Sequence, residues 1–161
     1  MKRWINIALP LFCVIFAGLA AAKAQTSSYL CNNALITGVY GFTIEGTKLG
    51  GIGPIGPQVG VAMTRFDGQG ILSQVDAVVI NGVQVSDFTH AAATGTYTVN
   101  SDCTGTFTIN FTDNRPSITA YFVVVDNGNE IDTVVMGVPP GTTPGVIATR
   151  SIGKRRFAFH W

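Results

Sequence analysis

From about residue 37 onward, apolar residues alternate with Thr, Ser and Gln instead of recurring every third or fourth position. That period belongs to half-buried strands, and no amphipathic helix is found after residue 25. Turn signals divide the alternating chain at Phe66-Asp67-Gly68-Gln69-Gly70, Asn81-Gly82, Asn100-Ser101-Asp102, Asp113-Asn114-Arg115-Pro116, Asp126-Asn127-Gly128-Asn129 and Pro139-Pro140-Gly141. Each supplies residues that tolerate positive φ or preset a turn. Between them lie eight predicted strands: 37–46, 58–66, 71–80, 83–99 as one long bent or bulged strand, 104–112, 117–125, 130–138 and 145–152. Short connections make these an all-β antiparallel meander. Eight such strands close into a small barrel, which removes the exposed edges that invite aggregation.

A Thr-Gly-x-aromatic-x-apolar pattern recurs at Thr37–Phe42, Thr94–Val99 and Thr104–Ile109. It sets large residues on one face and Thr or Gly on the other, which is sheet chemistry and not a solenoid repeat. Gly50-Gly51-Ile52-Gly53-Pro54-Ile55-Gly56-Pro57 holds no ladder and reads as a loop, either a lid over a cavity or a plain connector. Ser117–Val125 is apolar on both faces, and Val134-Val135-Met136 behaves alike. The outward residues Tyr121, Val123 and Val125 therefore call for a cover: a second copy of the chain, lipid, or a flanking segment.

The N-terminus changes the picture of where this domain works. Met1-Lys2-Arg3 precedes an apolar run from Trp4 to Ala22 that closes on Ala22-Lys23-Ala24, the form of a cleaved signal peptide with Gln25 as the new N-terminus. A retained membrane anchor and a lipid anchor on Cys13 are the alternatives, but Leu11 and Phe12 before Cys13 are too large for the latter. The expected organisation is a signal peptide at 1–24, a barrel at 25–152 and a basic, aromatic extension at 153–161. Export to the periplasm or beyond follows.

Cleavage removes Lys2, Arg3 and Lys23, which leaves seven basic residues against nine acids, a net charge of −2. A near-neutral domain lacks the basic stripe that nucleic acid requires. The cluster Lys154-Arg155-Arg156 reads as a solvated tail or an anion contact. Two cysteines remain, Cys31 and Cys103. In an oxidising compartment they are expected to pair and pin the N-terminal segment to the middle of the sheet.

Catalytic candidates are few. The chain has two histidines, His90 and His160, and none of the standard hydrolase, zinc or phosphate-loop motifs. Strict alternation puts Asp87 toward the interior and His90 on the opposite face, while a bulge near Phe88 would join them as an acid–base pair. Glu45, at the end of the first predicted strand, is either a ligand-facing carboxylate at the barrel mouth or a solvated strand end. Asp126–Asp132 has the acids of a calcium loop without its order, so a hairpin turn is the simpler reading. No cofactor and no metal is expected. Phe157, Phe159 and Trp161 resemble the terminal strand signal of outer-membrane barrels, which keeps a small membrane barrel open as an alternative.

Gly38-Val39-Tyr40-Gly41-Phe42, Phe66-Asp67-Gly68-Gln69-Gly70, Gly95–Val99 and Asp102-Cys103-Thr104-Gly105-Thr106 together resemble a group of uncharacterised exported bacterial proteins. Their architecture is similar to the calycin and allene-oxide-cyclase-like barrels. The resemblance spans about residues 36–150, rests on turn and sheet motifs, and carries over no catalytic residue. An eight-stranded barrel leaves room for one small ligand or for none, so binding of a small apolar ligand in the interior is the expected role. A structural or surface-interaction module is the alternative if side chains fill the interior.

Overall fold

The computed structural model of the chain describes residues 30–89, 92–113, 115–136 and 147–156. The expected signal peptide, His90, His160 and the terminal aromatics Phe157, Phe159 and Trp161 lie outside these residues. The strands are β1 (Gly38–Lys48), β2 (Gly56–Phe66), β3 (Ile71–Ile80), β4 (Val83–Ser86), β5 (Ala92–Val99), β6 (Thr104–Phe111), β7 (Ile118–Val125), β8 (Glu130–Val135) and β9 (Ile147–Arg155). Around the sheet the order is β2, β1, β9, β8, β7, β6, β5, β3, and β3 pairs back onto β2. Eight strands thus close an antiparallel barrel, with β4 a short addition along β3. The first and last strands meet from Tyr40 opposite Arg155 to Lys48 opposite Ile147.

Within the described residues the predicted turns join consecutive strands, while Pro139-Pro140-Gly141 lies outside them. Asn81 and Gly82, both at positive φ, make the β3–β4 hairpin, the pairing that such two-residue turns require. At Asp67, one carboxylate oxygen accepts the backbone N–H groups of Gln69, Gly70 and Ile71 at 2.7, 3.0 and 2.9 Å and sets the β2–β3 turn. Asp126–Gly128 is a 3₁₀ turn between β7 and β8, which places the acidic run in a hairpin.

Two boundaries differ from the sequence reading. Residues 83–99 form two strands, because β3 pairs with β5 from Ile71 to Val75 and with β4 only from Val78 to Ile80. Only Asp76 and Ala77 of β3 lie between the two pairings. Asp87 starts the break: its Oδ1 accepts the Thr89 N–H at 2.9 Å and the Thr89 hydroxyl at 2.6 Å, a local turn that competes with the ladder. At the other end, β9 continues to Arg155, so residues 153–155 belong to the barrel wall and not to an extension after Ile152.

Alternation directs Tyr40, Phe42, Ala62, Phe66, Leu72, Tyr97, Phe107, Phe122 and Ile131 to a common core. Two inward glycines let large rings lie flat against the neighbouring strand. Phe122 covers Gly105 and Phe42 covers Gly153, its register partner in each case, and a Cβ at either glycine would overlap the ring.

One end of the barrel is sealed. The 3₁₀ turn Asn33–Ile36 lies across it and inserts Ile36, which is fully buried. Asn33 accepts the Val99 N–H at 2.7 Å, and above it Tyr40, Phe66 and Tyr97 pack edge to face with centroids 5.5 and 4.9 Å apart. Arg155 donates to the Tyr40 hydroxyl at 3.0 Å and to the carbonyls of Gly128 and Leu35, which ties the plug to three elements. Lys154 pairs with Glu130 at 3.2 Å, so the expected basic tail is partly a structural staple.

The expected disulfide joins Cys31 to Cys103, with Cα atoms 5.0 Å apart and a sequence separation of 72. On the chain-entropy account a loop of this length contributes about 4 kcal/mol through the unfolded state. Cys103→Ser together with Cys31→Ser is expected to lower unfolding free energy by about 2–4 kcal/mol, read from the denaturant midpoint; an unchanged midpoint contradicts a stapled base.

Candidate functional site

β3 rises past β5, because Ala92 stands opposite Val75 while β3 continues to Ile80, and Phe111 of β6 is level with Ala93. The interior above the sealed base is hollow, with a cavity of about 1010 Å³. Its walls are largely apolar, formed by side chains such as Phe42, Ile44, Leu72, Val78, Phe107 and Ile109. Room is left because several inward positions carry little or no side chain, among them Ala62 and Ala120.

Gly50–Pro54 borders the mouth, and the Lys48 ammonium donates to the Ile52 carbonyl, which fastens this loop to the end of β1. The Ile52 side chain at this rim is 99% exposed.

A polar network crosses one wall, and its members are satisfied by each other. Thr64 donates to Gln74 at 2.8 Å, and the Gln74 amide donates to Asp76 at 3.4 Å. Asp76, only 2% exposed, receives two parallel bonds from the Arg115 guanidinium at 3.0 and 3.2 Å. The Arg115 Nε–H bonds Asp113 at 2.8 Å, and the guanidinium stacks over the Phe111 ring at 3.9 Å. Arg115 comes from the β6–β7 connection and reaches β3 where that strand passes from β5 to β4.

Electrostatics follow from this sandwich. Burial pushes the Asp113 carboxyl up, but hydrogen bonds and charge from Arg115 outweigh it, so the group is held below its ordinary value. Burial also opposes the Arg115 charge, and the two carboxylates more than restore it, which raises that pKa further. Thr133 and Ser151 form a second satisfied pair at 2.6 Å on the opposite wall.

The residues singled out from sequence sit elsewhere. Glu45 projects from the outer wall, because Phe42 and Ile44 take the inward phase, and it pairs with Arg150 at 3.2 Å. Asp87 holds its turn and is not among the cavity-lining residues. Whether a bulge brings it to His90 lies outside the described residues. Tyr121 and Val123 are on the outer face, 52% and 42% exposed, beside Val134, so the face expected to meet a second copy is open to solvent in the single chain. Among the described residues, no group of three His, Cys, Asp or Glu is placed to hold a metal.

Sequence reasoning passed over Asp76, Gln74 and Arg115. The signal was present in β3, where Leu72, Gln74, Asp76, Val78 and Ile80 share one face, so that two polar residues were bound to enter the interior.

Arg115→Met is expected to cost about 3 kcal/mol by leaving the Asp76 carboxylate buried without its cation, measured by chemical denaturation; a loss under about 0.5 kcal/mol contradicts the bridge. The depressed Asp113 pKa gives a pH dependence of known sign. Its stabilisation is complete above the unfolded value near 4 and is lost as pH falls through the lower folded value. Asp113→Asn should accordingly be less stable than the parent near neutrality and should show less further loss in acid, seen in thermal melts between about pH 6 and 2.

Comparison with known proteins finds no matching family model, no matching curated protein and no matching solved structure, so the reading of this site rests on its own geometry.

Proposed function

We propose that this protein is an exported barrel that binds a small, mainly apolar molecule in its interior. The observation that carries this reading is the hollow of about 1010 Å³ above a sealed base. Ligand pockets run to roughly 300–1,000 Å³ and pair apolar walls with a few placed polar groups, which is the composition described. A barrel of eight strands either fills with side chains or holds one small ligand, and the small inward residues favour the second state. The resemblance to calycin-like barrels points the same way. Export is supported by the Cys31–Cys103 disulfide, since such bonds persist in oxidising compartments.

The wall polarity favours this over a membrane barrel. Outer-membrane barrels turn an apolar band to lipid and polar groups to the lumen. Here the interior is largely apolar with its polar groups mostly paired to one another, while the outer face carries the Glu45–Arg150 and Lys154–Glu130 ion pairs together with exposed threonines on β5 and β6. Neither Glu45 nor Asp87 lines the cavity, so a catalytic role for them draws no support from its geometry.

The test is titration of residues 25–161, purified without detergent, with the neutral fluorescent probe N-phenyl-1-naphthylamine. Saturable binding at one probe per chain is expected, and Ala120→Phe, which places a ring in the cavity, should weaken it at least tenfold while leaving the melt intact or higher. No saturable uptake by the folded parent overturns the proposal.

A further inference from the structure

The cavity's polar groups fall into two kinds. Those on the Asp76 side, and the Thr133–Ser151 pair, bond one another. Gln58 and Thr149 do not: Gln58 Oε1 and Thr149 Oγ1 are buried without a hydrogen-bond partner in the protein, in residues only 7% and 8% exposed. Both line the cavity. Ser86 Oγ and Asp132 Oδ1 also lack partners, but neither residue borders this space. A buried polar atom left unpaired costs about 1–3 kcal/mol, so two of them at one level of one cavity need a reason.

Register puts them together. Gln58 on β2 faces Gly46 on β1, and Gly46 faces Thr149 on β9, so the three residues form one row across the upper wall. The middle position has no side chain. Thr149 leans over it, with Oγ1 2.8 Å from where a Cβ on Gly46 would stand. Gln58 stands at the same level on the other neighbouring strand, and the row makes a polar ledge just inside the mouth.

Resting on the ligand-binding reading above, we infer that this ledge seats a neutral hydroxyl at one end of the apolar ligand. A hydroxyl both donates and accepts, so it satisfies the Gln58 carbonyl oxygen and the Thr149 hydroxyl at once. A carboxylate has no proton for the Gln58 oxygen. It also meets a wall whose charged cluster, Asp76 and Asp113 around one Arg115, carries an excess negative charge. The ligand class is thus an apolar alcohol, its body against Ile44, Val78 and Ile109 and its hydroxyl toward the opening. Lys48, at the rim of the cavity, is the competing site for an anionic head group.

Three probes of matched chain length separate the possibilities: decan-1-ol, decanoate at pH 8 and decyl methyl ether, each displacing N-phenyl-1-naphthylamine from residues 25–161. The alcohol is expected to bind about tenfold tighter than the ether and tighter than decanoate. Gln58→Leu and the near-isosteric Thr149→Val should each remove most of the alcohol's advantage and leave ether binding within about twofold. Equal binding of alcohol and ether overturns the ledge while the cavity reading stands. Tighter binding of decanoate overturns it in favour of Lys48. If none of the three binds and the fluorescent probe does not either, the cavity reading has failed and the ledge falls with it.

Discussion

Closure of β9 on β1 is the constraint from which the rest of the molecule follows. Left open, the meander would present two unpaired edges, one of them in β1, a strand of eleven residues. Nine register pairs between Tyr40–Lys48 and Ile147–Arg155 remove both edges and fix the circumference at eight strands. Circumference in turn fixes the interior, which at this size is just wide enough for side chains or one small ligand. Closure also brings Arg155, at the end of the last strand, beneath Tyr40 near the start of the first, where it joins the 3₁₀ plug to the β7–β8 turn.

Within that circumference the two ends differ by residue size. Toward the base, Phe66, Tyr97, Phe107 and Phe122 fill the section, and inward glycines serve as flat seats for rings. Toward the mouth the same inward positions hold Gly46, Gly60 and Ala62. A filled base and a hollow top are therefore one design, in which the plug and the disulfide stabilise the dense end and leave the open end free of packing. The Asp76–Arg115–Asp113 bridge ties the β6–β7 connection to β3 near the point where that strand changes partner, and its charges satisfy one another.

Much of this was legible along the chain. Period-two alternation and the Asn81-Gly82, Asp67-Gly68 and Asp126–Asn129 signals located the strands, because both are local properties. The Cys31–Cys103 pairing followed from there being no other cysteine in the expected mature chain. What was not legible depends on parity or on distance. Glu45 reads either as a mouth carboxylate or as a solvated strand end, and only the inward phase of Phe42 and Ile44 decides for the second. The break between β4 and β5 comes from Asp87 capping its own turn, a competition that strand propensity does not register. Arg115 lies 39 residues from Asp76 and meets it only because the barrel closes. The Gln58, Gly46 and Thr149 row is likewise a product of register across three strands, invisible in any window of sequence.

The central claim is a hollow, ligand-sized interior above a sealed base, and a crystal structure of residues 25–161 under xenon pressure tests it most directly. Xenon enters apolar cavities and scatters strongly, so it reports space without assuming a ligand. The account predicts xenon inside the barrel against Phe42, Val78, Phe107 and Ile109, with an intact Cys31–Cys103 bond below it. An interior collapsed onto its own side chains, with no xenon between those residues, would contradict it.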